Sequence, residues 1–297
     1  MKNVTLRKTV ATAVSVAVLS SFAGCAQNTE DTTAASVLGA SQDSEEATSA
    51  EATAENTVLT VGASITPHSE ILEFVAPILA EQGITLEIVQ IEDSITPNTG
   101  VIDGSLDANY FQHVPYLEQF NLENGSDLVS VGAVHYEPFG IYAGRTTDLN
   151  DLPEGAIVAV PNNVTNEARA LLLLEQEGII DLDENAGINA TVADIIDNPL
   201  DIEFVELAPE QLVASLPDVD IAIINGNYAI EGGLDVNDAL AVEANDGLAA
   251  QTYGNIVATT PEHANDPAII ALVEVLQGPE VAQFIEENYN GAVVPLF

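Results

Sequence analysis

The chain has 297 residues and carries 47 Asp and Glu against five Lys and Arg, a formal net charge of −42. An apolar share of 47% is that of a folded globular protein, and the charge excludes nucleic acid and anionic membrane surfaces as electrostatic partners. The single Cys excludes a disulfide framework and a Cys-based metal site, and the length allows one or two domains with cores of their own.

Lys2, Arg7 and Lys8 precede a run of apolar and small residues from Thr9 to Leu19, and no acid comes before Glu30. That run is shorter than the roughly 20 apolar residues needed to span a bilayer. It fits a secretory signal over residues 1–24. The end of the run, Ser21-Phe22-Ala23-Gly24-Cys25, resembles a bacterial lipobox. The resemblance implies that the Cys25 thiol is lipidated and that Cys25 begins an exported chain anchored to a membrane. Ala26 to Thr57 is dominated by Ala, Ser, Thr, Glu and Asp, with Val37 and Leu38 as its only large apolar residues. Such a segment buries too little surface to fold. Residues 25–57 are expected to form a disordered acidic tether spanning roughly 30 Å as a coil.

From residue 58 onward, short β-branched runs alternate with helical spacing. Strands are expected at 58–62, 86–89, 106–109, 128–135, 157–160, 202–205, 221–224 and 255–258. Helices are expected at 68–81 and 167–178, the latter stopped by Gly178. This alternation predicts an α/β protein with mainly parallel sheets. If the chain leaves one lobe near Phe139-Gly140 and returns between Ala249 and Gly254, two lobes result. They are residues 58–139 with 251–297, and residues 140–250, with a hinge and a ligand crevice between them.

Enzyme signatures are missing: no Gly-x-Ser-x-Gly elbow, phosphate-cradling Gly loop or Gly-x-Gly-x-x-Gly occurs. Asp181 to Asn185 fails as a calcium loop, because Ala186 and Val192 stand where Gly and a bidentate Glu are needed. His68, His113, His135 and His263 contain no ligand-spaced pair; a three-histidine site assembled by folding is the competing reading, and the expectation is no metal and no cofactor.

Beyond the signal only two cations remain, and no lysine is among them. Arg145 lies in a polar turn, Gly144 to Asp148, and reads as a surface residue. Arg169 follows Pro161-Asn162-Asn163-Val164-Thr165-Asn166-Glu167-Ala168 at a strand-to-helix connection, where Asn166 could cap the helix. A guanidinium there can grip a carboxylate through two parallel hydrogen bonds; a structural ion pair is the competing use.

The body resembles the methionine-binding lipoproteins of bacterial ABC importers, the NlpA-type substrate-binding proteins. The likeness rests on Val61-Gly62-Ala63-Ser64 with Thr66-Pro67-His68, on Leu106 to Leu117 with its Asn109-Tyr110-Phe111-Gln112-His113 core, on Val131 to His135, on Pro161 to Leu174, and on Ile224 to Ala229. It runs through residues 58–297. The acidic tether, the missing lysines, and Asn163-Val164 in place of Asp-Pro depart from the family pattern. The resemblance implies a two-lobe periplasmic-binding-protein fold of type II character. It implies that Arg169 holds a ligand α-carboxylate, that Asn225 hydrogen-bonds the polar end, and that Tyr110, Phe111, His113 and Tyr136 wall the side-chain pocket; Asn166, from its place at the helix start, is expected beside the ligand as well. The function expected is capture of L-methionine by a monomeric, non-catalytic receptor and delivery to a membrane permease with its ATPase. The competing readings are another amino acid, D-methionine or a methionyl dipeptide as ligand, an extracytoplasmic hydrolase, and a surface scaffold or adhesin lipoprotein.

Overall fold

The computed structural model describes residues 56–243 and 251–297. The signal, the Cys25 lipidation site, nearly all of the tether and part of the return crossing lie outside the described residues.

In chain order the strands are β1 (Thr57–Ala63), β2 (Ile84–Gln90), β3 (Ala108–His113) and β4 (Val129–Tyr136), then β5 (Gly140–Ala143) and β6 (Ile157–Pro161). A small pair, β7 (Asp181–Leu182) and β8 (Ile195–Asp197), precedes β9 (Glu203–Leu207), β10 (Ile221–Ile224) and β11 (Ala241–Val242). β12 (Asn255–Thr259) and β13 (Val294–Pro295) end the chain. Helices α1 (Glu70–Glu81), α2 (Thr96–Asp103) and α3 (Val114–Asn124) pack on the first sheet, and α4 (Val164–Gln176), α5 (Leu212–Ser215) and α6 (Gly226–Glu231) belong with the second. Two further helices, Pro267–Leu276 and Pro279–Tyr289, return to the first sheet.

Two main sheets carry the α/β architecture. One runs β13-β4-β12-β3-β1-β2 and the other β11-β5-β10-β6-β9. The expectation of mainly parallel sheets needs correction, because both are mixed. β1 pairs in parallel with β2 and β3, and β6 with β9 and β10, but β12 runs antiparallel to both β3 and β4, and β5 antiparallel to β10 and β11. The cause is the crossing itself. The chain leaves the first sheet after β4 and re-enters as β12 between β4 and β3, so the strands that carry the crossings run against the βαβ units beside them.

Each sheet is covered on both faces. Val61, Ala63, Leu72, Val75, Leu272 and Ile285 form a core on one face of the first sheet, and Leu106, Leu117, Phe120 and Ile256 fill the other. Val158, Val160, Leu171 and Ile223 pack one face of the second, and Ala159, Leu212, Ala222 and Ile224 the opposite face. The continuous apolar runs of β6 and β10 follow from this double burial.

β3 begins at Ala108, two residues later than the sequence run suggested, so the whole Asn109–His113 motif lies on the strand. α4 begins at Val164, and its cap is Asn163, not Asn166. The Asn163 side chain accepts a hydrogen bond from the Asn166 amide at 3.2 Å. With the cap filled by Asn163, the Asn166 side chain is released to serve elsewhere.

Candidate functional site

A cavity of about 470 Å³, counting the part open to solvent, lies where the two sheets meet. β3 contributes Phe111, Gln112 and His113, and α3 contributes Tyr116. The link between β4 and β5 contributes Glu137 and Phe139, and α4 contributes Asn166 and Arg169. The β10–α6 junction adds Asn225 to Tyr228, and Asn255 opens β12. The crossings and the carboxyl ends of the parallel strands therefore converge on one space.

Arg169 is 4% exposed. Its guanidinium carbon sits over two aromatic rings, 4.1 Å from the Phe139 centroid and 4.5 Å from that of Tyr253. Nε donates to both carboxylate oxygens of Glu243 at 3.0 and 2.9 Å, and Nη2 donates to Glu243 Oε2 and, at 2.8 Å, to the Glu137 carbonyl. Burial alone would lower the Arg169 pKa, but the Glu243 charge overrides it and holds the group above its ordinary value. Burial likewise pushes Glu243 up, and it is outweighed by Arg169 and by donors from Tyr136 and the Phe139 amide, so Glu243 stays below the usual range.

The amide pair faces the same space. His113 Nδ1 accepts the Tyr116 amide at 3.2 Å, which leaves the proton on Nε2 to donate to Asn166 Oδ1 at 3.1 Å. Asn225 Nδ2 donates to the same oxygen at 3.3 Å, while Asn225 Oδ1 is buried without a partner among the described residues. A buried acceptor without a donor costs about 1–3 kcal/mol. Burial, then the neighbouring Arg169, lower the His113 pKa to about 4, so the ring is a neutral wall.

Glu137 is the cavity's anion. It is 4% exposed, and burial raises its pKa against the opposing effects of His68, the Asn227 amide and Arg169. His135 Nε2 lies 2.6 Å from Glu137 Oε1, and His135 Nδ1 hydrogen-bonds the Tyr110 hydroxyl. Burial lowers His135 to about 3, so the ring is neutral and donates Nε2–H to the carboxylate. The donor atoms of His68, His135 and Glu137 lie within 4.8 Å of one another. Two ligands on a tetrahedral zinc stand about 3.3 Å apart. The 2.6 Å contact is a hydrogen bond, and both His135 nitrogens are engaged, so the cluster is built as a relay and not as a metal cage.

Of the residues expected at the site, Arg169, Asn225, Asn166, Phe111 and His113 line the cavity. Tyr110 and Tyr136 do not, and this corrects the expectation for both. Tyr110 is fully buried in the core behind the site, edge-on to the rings of His68 and His135, and its hydroxyl serves His135. The Tyr136 hydroxyl donates to Glu243 Oε2 at 2.6 Å, behind Arg169. Sequence reasoning missed Glu137, Phe139, Tyr228 and Glu243. Glu137 follows directly on the end of β4, two residues after His135, and that spacing was a usable signal. Glu243 is 74 residues from Arg169 and gave none. Arg145 pairs with Asp220 at 2.8 Å and is half exposed, as its surface reading implies.

Residues 59–297 match the model of the NlpA lipoprotein family. The chain is 42% identical over 243 residues to the methionine-binding lipoprotein MetQ of Bacillus subtilis, covering 80% of this chain and 88% of that protein. A solved structure of a lipoprotein from Ruminococcus gnavus superposes with a TM-score of 0.80 at 49% identity, covering 81% of this chain and all of that one. A nutrient-binding protein from Burkholderia cenocepacia, solved bound to methionine, gives 0.77 at 38% identity over 80% of this chain and all of that one. The chain belongs to the NlpA lipoprotein family, whose members are non-enzymatic substrate-binding lipoproteins.

Proposed function

We propose that this protein captures methionine as a zwitterion in the cavity between its two lobes and delivers it to an ABC import permease driven by an ATPase. The supporting observation is the cavity's paired charge. One guanidinium, Arg169, and one carboxylate, Glu137, line it together with the unpartnered Asn225 Oδ1. An α-amino acid supplies the complement of each. Its carboxylate takes Arg169 and the Asn166 amide, and its ammonium takes Asn225 Oδ1 and Glu137. Phe111, His113, Tyr116 and Phe139 then offer aromatic surface to a thioether, worth about 0.3–1.5 kcal/mol per contact. The relatives named for methionine support the choice of side chain.

In this reading the lobes are residues 58–139 with 251–297, and residues 140–250. Contacts from one ligand to both favour the closed form that a permease would recognise. Cys25 carries the lipid, and residues 25–57 hold the body off the outer face of the membrane. The test is calorimetry of L-methionine binding to protein freed of ligand by unfolding and refolding. Arg169→Ala and Asn225→Ala are each expected to weaken binding by about 2–5 kcal/mol, on the order of 30- to 5,000-fold. Wild-type protein that binds no methionine, or unchanged affinity in both variants, overturns the proposal.

A further inference from the structure

We infer that Glu243 is a positioning residue for ligand capture, resting on the reading of Arg169 as the partner of the ligand's carboxylate. It fixes which edge of the guanidinium faces the cavity and cancels the charge that would attract simple anions.

The guanidinium carbon of Arg169 lies over the rings of Phe139 and Tyr253, contacts that do not by themselves select which edge of the group faces the cavity. Glu243 makes that selection. It binds the group side-on through Nε and Nη2, and the Glu137 carbonyl takes a second hydrogen from Nη2. None of these hydrogen bonds uses Nη1. Arg169 lines the cavity and Glu243 does not, so the acid stands behind the guanidinium and not in the ligand's place. Glu243 is itself held from two directions, by the Tyr136 hydroxyl at 2.6 Å and the Phe139 amide at 3.3 Å. A carboxylate fixed by donors from β4, from the β4–β5 link and from α4 is a rigid mount.

The charge count gives the second consequence. With Arg169 balanced by Glu243, the nearest net charge seen from the cavity is that of Glu137. A carboxylic acid without an ammonium group meets no net positive field and faces Glu137 unpaired. A zwitterion satisfies both ends. Discrimination against the deaminated analogue is therefore set by Glu243 together with Glu137.

The experiment measures Kd for L-methionine and for methylthiobutanoate, which is methionine without its ammonium, in wild type, Glu243→Gln, Glu243→Asp and Tyr136→Phe. Circular dichroism and melting temperature report folding. Glu243→Gln is expected to weaken methionine binding at least about tenfold while leaving the analogue unchanged or tighter, so that the selectivity ratio falls. Glu243→Asp restores part of that ratio, and Tyr136→Phe, which loosens the mount without touching its charge, lowers methionine affinity by a smaller factor. Equal weakening of both ligands means a purely structural role and overturns the inference, as does tighter methionine binding in Glu243→Gln, which would make Glu243 a competitor. If Glu243→Gln does not fold, an unchanged methionine affinity in Tyr136→Phe overturns it alone. Wild type that binds neither ligand fails the methionine reading instead, a separate result.

Discussion

A carboxyl group in a cavity wall is useful to a receptor only if the ligand can ionise it. Burial holds Glu137 above its ordinary pKa, so part of the empty protein carries it protonated at pH values where a free glutamate is charged. A ligand ammonium favours the ionised form, and uptake then expels a proton. The sign follows: affinity falls as pH drops through the raised pKa and levels off above it. His113, at about 4, stays neutral across that window and does not confuse it. Calorimetry in two buffers of different ionisation enthalpy should count a fractional proton released per methionine. Glu137→Gln should abolish the release and lower affinity by an order of magnitude or more, about 1.4 kcal/mol. A pH-independent wild type would remove Glu137 from the ligand's ammonium. The Tyr110–His135 chain behind it orients the carboxylate without charging it, since His135 stays neutral down to about 3.

At the level of elements, two junctions aim the polar groups. Asn163 caps α4 and turns Asn166 and Arg169 into the cavity from the helix's first two turns. Asn163→Ala should cost about 1 kcal/mol in denaturant unfolding. Gly226 lets α6 close on Glu137, because a Cβ there would stand 2.7 Å from the Glu137 Cβ and 3.2 Å from its Oε2. Gly226→Ala should therefore destabilise the fold by about 1–3 kcal/mol and weaken methionine binding with it, whereas unaltered binding would show that the junction can relax. These junctions also mark what could be read beforehand. β6, β10 and β12 stand within a residue of their expected positions, because strands buried on both faces must be continuous β-branched runs. β3 was misplaced because it carries Asn, Tyr, Phe, Gln and His in place of such a run. The antiparallel insertion of β12 between β4 and β3 is a long-range pairing that leaves no local pattern. Arg169 and Asn225 were legible as scarce or motif-borne residues, whereas the place of Tyr110 was not, because the pairing of β3 with β12 slips at Phe111, a bulge that breaks simple alternation and leaves no mark in the sequence.

Over the whole molecule, the scarcity of cations has a thermodynamic consequence. Both arginines of the described body are engaged, Arg145 by Asp220 and Arg169 by Glu243. No other Lys or Arg is present beyond the signal region to answer the remaining carboxylates. Those acids repel one another across the surface, and the repulsion is relieved when the chain expands, so it favours unfolding. Dissolved salt acts directly on this effect. The screening length falls from about 10 Å at 0.1 M to about 3 Å at 1 M, below the spacing of most surface charges. The melting temperature should therefore rise steeply with NaCl up to about 1 M and flatten beyond it. A gain of about 2 kcal/mol would appear as roughly 4–8 °C for a body of this size. Sucrose, which stabilises by exclusion and not by screening, should give no such early, saturating rise. Arg145→Gln removes one of the two cations and should deepen the salt dependence, while Arg145→Lys should preserve it. A melting temperature indifferent to NaCl below 1 M would mean that the acidic surface carries no self-repulsion worth screening.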